Sequence, residues 1–208
     1  MNFSTNKDRT RPTKTELVRG LEAISRFPKI AIIDLEATCT DNLDHKKVFF
    51  SEILEFGICI LDLHTKQVDK THQVYVKPQI SAITPFCEEL TGINYAKVAD
   101  SLFFREAYRE VITFLKKEKV PAWASFGAYD RSMIRKQCEF FNVHINELDS
   151  VPHFNVKDLV WSDIESKKGP GMSNALAHYG LSLEGRHHSG VDDAKNISKL
   201  LVHLLNKH

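Results

Sequence analysis

The chain has 208 residues, 42% of them hydrophobic and 26% charged, which suits one soluble globular domain with a core of ordinary size. Its net charge of +1 excludes a protein that coats long duplexes by neutralising phosphates, but not an enzyme that grips a few terminal nucleotides. No apolar run approaches the ~20 residues of a bilayer span, residues 1–14 lack a signal peptide's apolar stretch, and Cys39, Cys59, Cys87 and Cys138 have neither zinc nor C-x-x-C spacing, so a cytoplasmic protein with reduced thiols and no membrane partner is expected.

Residues 1–28 read as a basic N-terminal extension carrying Lys7, Arg9, Arg11, Lys14 and Arg19, and residues 29–208 as the main domain. Leu17, Leu21 and Ile24 recur at i, i+4 and i+7 and predict a short helix over 13–27, weakened by Gly20. It is either a docking helix behind a tail or part of a basic arm that touches an RNA backbone. Residues 29–35 contain the continuous apolar run Ile30-Ala31-Ile32-Ile33 and predict a buried strand. Second and third strands are expected over 52–63 and 68–76, the latter ended by Pro78. Two or three short helices follow between Pro85 and Ala99. A longer helix is expected over 103–117, with Phe104, Tyr108, Val111 and Leu115 on one face. A fourth strand over 121–126 leads into a helix over 129–141, and a short strand is expected over 153–156. Helices over 156–166, 172–179 and 191–205 complete the chain, punctuated by Gly169-Pro170-Gly171 and Gly180. This order predicts an α/β fold. Its mixed sheet has three antiparallel strands first and parallel strands after, flanked by helices.

Three segments carry chemistry. Asp34 and Glu36 end the first strand two residues apart, so their side chains leave the same face, with Cα atoms ~6.5 Å apart. Two carboxylates beside a core are costly unless neutralised, and a divalent cation would neutralise them. Oxygen donors favour Mg²⁺ or Mn²⁺. Asp130 opens a helix whose i+3, i+4 and i+8 positions, Met133, Ile134 and Cys138, are apolar, which sets it above the core-facing side. In the last segment the helical period separates two acids. Asp192 continues into Lys195, Asn196 and Lys199, a polar face, whereas Asp193 continues into Ile197, Leu200 and Leu201, an apolar one. Asp193 is therefore the better metal ligand, and Asp192 a capping or surface carboxylate. His187 and His188 both precede this helix, and the pattern does not choose between them.

Ile33-Asp34-Leu35-Glu36-Ala37-Thr38-Cys39, Ser125-Phe126-Gly127-Ala128-Tyr129-Asp130 and His188-Ser189-Gly190-Val191-Asp192-Asp193-Ala194 resemble the three motifs of the DEDDh 3′→5′ exonucleases, whose fold is ribonuclease-H-like. The resemblance extends to the branch that trims histone mRNA ends and degrades small interfering RNA. Glu52-Ile53-Leu54-Glu55-Phe56, Tyr75-Val76-Lys77-Pro78 and Leu90-Thr91-Gly92-Ile93 carry it further, as do Glu184-Gly185-Arg186-His187 and Lys195-Asn196-Ile197 around the last motif. It covers roughly residues 29–205 and departs at the N-terminus, where the eukaryotic histone-mRNA enzyme has a longer, SAP-type module.

The family's histidine lies five positions before its last aspartate, which selects His188 with Asp193. The resemblance implies two Mg²⁺ or Mn²⁺ ions: Asp34 bridging both, Glu36 and Asp193 completing the first, Asp130 holding the second, and His188 deprotonating the attacking water. It also implies that Leu35, Phe86 and Tyr129 bind the terminal nucleotide. Glu55 is left outside the site, as a brace. The expected partner is a single-stranded or overhanging RNA 3′ end. A DNA exonuclease of the same fold is the alternative, followed by a non-catalytic RNA-binding module.

Overall fold

The computed structural model describes residues 10–42 and 50–208; Lys7 and Arg9 of the basic extension fall outside them. In chain order the elements are α1 (Lys14–Ser25), β1 (Lys29–Ala37), β2 (Ile53–Asp62), β3 (Gln67–Tyr75), α2 (Pro85–Thr91), α3 (Tyr95–Val98), α4 (Phe104–Lys117), β4 (Trp123–Ser125), α5 (Tyr129–Phe140), α6 (Asn146–Asp149), β5 (His153–Asn155), α7 (Val156–Asp163), α8 (Met172–His178) and α9 (Gly190–Lys207). Helix α6 has no counterpart in the sequence reading, because four residues cannot display a helical period. Helix α7 stops short of 166 because Ile164 is already extended, at φ −89° and ψ 125°.

The five strands lie in the order β3-β2-β1-β4-β5. β1 pairs antiparallel with β2, and β2 with β3. β1 with β4 and β4 with β5 are parallel. This is the mixed, ribonuclease-H-like sheet expected of the element order. β1 is central and buried on both faces, which explains its unbroken apolar run. Ile30 and Ile32 face a core completed by Leu17, Leu21, Leu159, Ile197 and Leu201. Ala31, Ile33 and Leu35 face the opposite core, with Phe104, Val111, Met133 and Ile134.

Helix α1 belongs to the first of these cores. Its start is fixed by a reciprocal cap: the Glu16 amide donates to Thr13 Oγ1 at 3.2 Å and the Thr13 amide to Glu16 Oε2 at 2.7 Å. Gly20, an anomaly for a helix read in isolation, sits where a Cβ would meet Leu159 Cδ2 of α7 at 2.6 Å. It lets the two helices approach. Arg11 donates to the Trp161 and Ser162 carbonyls, both at 2.9 Å, so this cation of the extension holds the end of α7. No helix among the described residues is long and apolar enough to cross a membrane.

Candidate active site

β1 outlasts its parallel neighbour. Pairing with β4 covers only Ala31 and Ile32. The Ala31 amide donates to Ala122 O on that side, and the strand period turns the Leu35 amide the same way. With β4 already ended, Leu35 N–H donates instead to Asp130 Oδ1 at 3.2 Å. Asp130 is thus held against the strand that carries Asp34 and Glu36.

Asp193 arrives from the far end of the chain on the first turn of α9. Its burial, 5% exposed, contrasts with Asp192, whose side chain keeps 21% exposure and takes Lys195 Nζ at 3.2 Å and the Arg186 amide at 3.0 Å. Asp192 closes the loop before α9 and does not join the acidic cluster. Ligand oxygens of Asp34, Glu36 and Asp193 lie within 4.8 Å of one another. Asp130 is outside that triplet but near enough to bear on Asp34.

These carboxylates perturb each other. Burial, then Asp130, Glu36 and Asp193, push Asp34 well above the carboxylate range. Burial, Asp193 and Glu55 push Glu36 up to about 8. Burial raises Asp130 to about 6 against the hydrogen bonds it accepts. Asp193 also rises through burial, opposed by the His188 amide and by His187. Such a set is stable in its ionised form only with compensating positive charge. Hard oxygen donors without a thiolate fit a small divalent cation of the magnesium class.

Both histidines meet Asp193, by different atoms. The His188 amide donates to Asp193 Oδ2 at 3.0 Å, whereas His187 approaches through its ring, with Nδ1 3.0 and 3.2 Å from the two carboxylate oxygens. The rings stack, centroids 4.0 Å apart at 15°. His188 has φ +63°, a left-handed conformation that turns the chain into α9. Its pKa lies below the usual imidazole value, through burial and then His187.

The cleft has a volume of about 410 Å³ and is lined by all five predicted acid and histidine positions together with Leu35, Tyr129 and Leu90. Leu35 is buried and Tyr129 is 57% exposed. Phe86 does not line it. One turn further along the same face of α2, Leu90 does.

Two structural residues had a weaker sequence signal. Buried Glu55 accepts from Val191 N at 3.1 Å and Gln73 Nε2 at 2.8 Å, bracing the start of α9 against β2 and β3. Arg186 donates to Glu89 O at 2.8 Å and Leu90 O at 3.3 Å, which ties the histidine loop to the end of α2. Only the motif resemblance touched these positions, since nothing in a local pattern joins residues so far apart in sequence.

Residues 31–201 match the family described as Exonuclease. The chain is 30% identical over 199 residues to 3′-5′ exoribonuclease 1 of Homo sapiens, covering 88% of this chain and 54% of that protein. It is 27% identical over 199 residues to 3′-5′ exonuclease eri1 of Schizosaccharomyces pombe, covering 83% and 66%. The chain therefore spans about half the length of its human relative. Among solved structures, the nuclease domain of 3′hExo, a DEDDh family member bound to rAMP, superposes with a TM-score of 0.71 at 26% identity, covering 87% of this chain and 93% of that one. A 3′-exonuclease in 3′-end specific recognition of a histone mRNA stem-loop gives 0.77 at 26% identity, covering 87% and 83%.

Proposed function

The chain belongs to the exonuclease family, and from that premise we propose that it is a 3′→5′ exoribonuclease releasing 5′-mononucleotides from unpaired RNA ends. The observation that carries the reading is the convergence of Asp34, Glu36 and Asp193, with Asp130 and His188 at the same cleft. The choice of RNA is supported by relatives named as exoribonucleases.

In this reading Asp34, Glu36 and Asp193 would hold one divalent cation, and Asp130 beside Asp34 would help to hold a second. When bound, Mg²⁺ or Mn²⁺ ions supply an activated water and neutralise charge during in-line displacement at phosphorus. His188, neutral at pH 7 because its pKa is depressed, takes the proton of the attacking water on a ring nitrogen. Asp193 fixes the turn that presents His188 through the 3.0 Å bond to its amide. Leu35 and Tyr129 pack the terminal base, and apolar or stacking contact accepts any base.

The test is the product ladder from 5′-labelled single-stranded RNA and a matched DNA, each with Mg²⁺ and with excess EDTA. Stepwise shortening of RNA that stops with chelator is expected. Internal cuts at early times would sink the exonuclease reading. Faster loss of DNA would move the substrate to DNA, and undiminished cleavage in EDTA would end the metal mechanism.

A further inference from the structure

Two cysteines meet on the wall of this cleft. Cys39 follows β1, is partly exposed and lines the cleft beside Glu36, Leu90, Thr91 and Tyr129. Cys87 is fully buried in the first turn of α2. Thr84 ties them together: its hydroxyl donates to Cys39 O at 2.7 Å and accepts from Cys87 N at 3.1 Å. The Cys87 thiol reaches Ala37 O at 3.6 Å, two residues before Cys39 on the same stretch of chain. Both cysteines pack in the small apolar cluster of Leu54, Ile83, Ile93 and Val98.

The other two cysteines differ in kind. Cys59 and Cys138 lie in opposite cores, and burial pushes both thiols up to about 12. Contact with Cys39 instead pulls the Cys87 thiol down to about 7. A cysteine on the cleft wall, beside a buried second cysteine whose thiol is pulled down from its ordinary value, is the arrangement of an attacked thiol and its resolving partner.

We propose that Cys39 and Cys87 form a reversible oxidation site, closed to a disulfide by hydrogen peroxide entering the cleft, and that closure impairs capture of the RNA 3′ end; the second part rests on the exoribonuclease reading. In the first step the Cys39 sulfur attacks a peroxide oxygen and the O–O bond breaks. One water leaves with the thiol proton, and Cys39 becomes a sulfenic acid. The Cys87 sulfur then attacks the Cys39 sulfur, its S–O bond breaks and a second water leaves. Two thiols and one peroxide become one disulfide and two waters. A disulfide holds its sulfurs at about 2.05 Å, closer than two unbonded thiols can approach. Closing that gap draws the first turn of α2 onto the end of β1, moving Leu90 and Thr91 relative to Glu36 and Leu35.

The test treats the reduced protein with hydrogen peroxide, removes the excess with catalase, and reads intact mass, a peptide map and initial rate on limiting single-stranded RNA, before and after dithiothreitol. We expect loss of two hydrogens, a linked Cys39–Cys87 peptide, and at least a fivefold fall in rate that dithiothreitol restores. Cys87→Ser should gain oxygen on Cys39 without a Cys39–Cys87 cross-link; dithiothreitol should reverse a gain of one oxygen, the sulfenic acid, but not a gain of two or three. Cys39→Ala, an independent variant should Cys87→Ser fold poorly, should keep its rate after peroxide. Oxygen gained by the parent protein with no cross-link would overturn the site. A cross-link with unchanged rate would overturn its effect on the 3′ end. Mass and peptide map do not depend on turnover, so a protein without exoribonuclease activity would still be judged on the disulfide.

Discussion

Gly57→Ala should disable the candidate site from a position that touches no substrate. Gly57 lies on β2 directly opposite Asp34 of β1. A Cβ added there would stand 1.8 Å from Gly190 C, 2.1 Å from Val191 N and 2.3 Å from Gly190 O, all backbone atoms at the start of α9. Ordinary carbon contacts are about 3.5–4.0 Å, so the helix start must retreat by roughly 1.5 Å or more. No side chain can yield in its place. Asp193 follows Gly190 by three residues and His188 precedes it by two, so both move with it. The bond from Val191 N to Glu55 lengthens as well. A misplacement of about 1 Å in reacting groups costs ~10²-fold in rate. Overpacking adds about 1–3 kcal/mol of destabilisation. The assay is turnover of single-stranded RNA at saturating Mg²⁺, with a thermal melt of the same sample. Gly20→Ala is the control, because its Cβ crowds only Leu159, remote from the cleft. It should lower the melting temperature and leave turnover near the parent's. If folded Gly57→Ala stayed within threefold of the parent rate, the close approach of α9 would not be what sets the site.

Asp193→Asn should remove most activity in an RNA degradation assay, and Asp192→Asn should be mild, since only Asp193 is buried in the acidic cluster; the reverse order of severity would refute that division. His188→Asn should lower turnover by ~10²–10⁴-fold with RNA and metal binding largely retained. His187→Asn should be weaker; binding of His188→Asn that collapsed in parallel with rate would make His188 a ligand or a structural residue. Asp163 gives an acid-limb prediction: burial favours its neutral form, but hydrogen bonds from Lys207, Tyr179 and His208 outweigh it and hold the pKa down at about 2. A depressed carboxylate stabilises the fold above its unfolded pKa near ~4 and loses that contribution as pH falls toward the folded value. Urea midpoints at pH 5 and pH 2.5 should therefore converge between parent and Asp163→Asn at the lower pH, and an undiminished gap there would contradict the assignment.

Local periodicity carried much of this protein. The alternation of β1 put Asp34 and Glu36 on one side and Leu35 on the other, and the helical repeat of α9 turned Asp193 inward and Asp192 outward. These are properties of a few adjacent residues, and they survive whatever packs around them. The element order likewise implied the mixed sheet. Between elements the local pattern was silent. That Leu35 N–H finds Asp130 depends on β4 being too short to reach it, and the donor on β1 and the acceptor on α5 lie 95 residues apart. Glu55 meets Val191 across 136 residues, and Gly57 looks like any strand glycine until α9 is laid against it. Phe86 and Leu90 share a helix face, and the placement of α2 alone decided which of them lines the cleft. Gly20, which argued against α1, is where Leu159 comes close. A sequence period specifies the direction in which a side chain leaves its own element, whereas separation, tilt and strand ends come from how all the elements pack, and those lengths decide which groups meet.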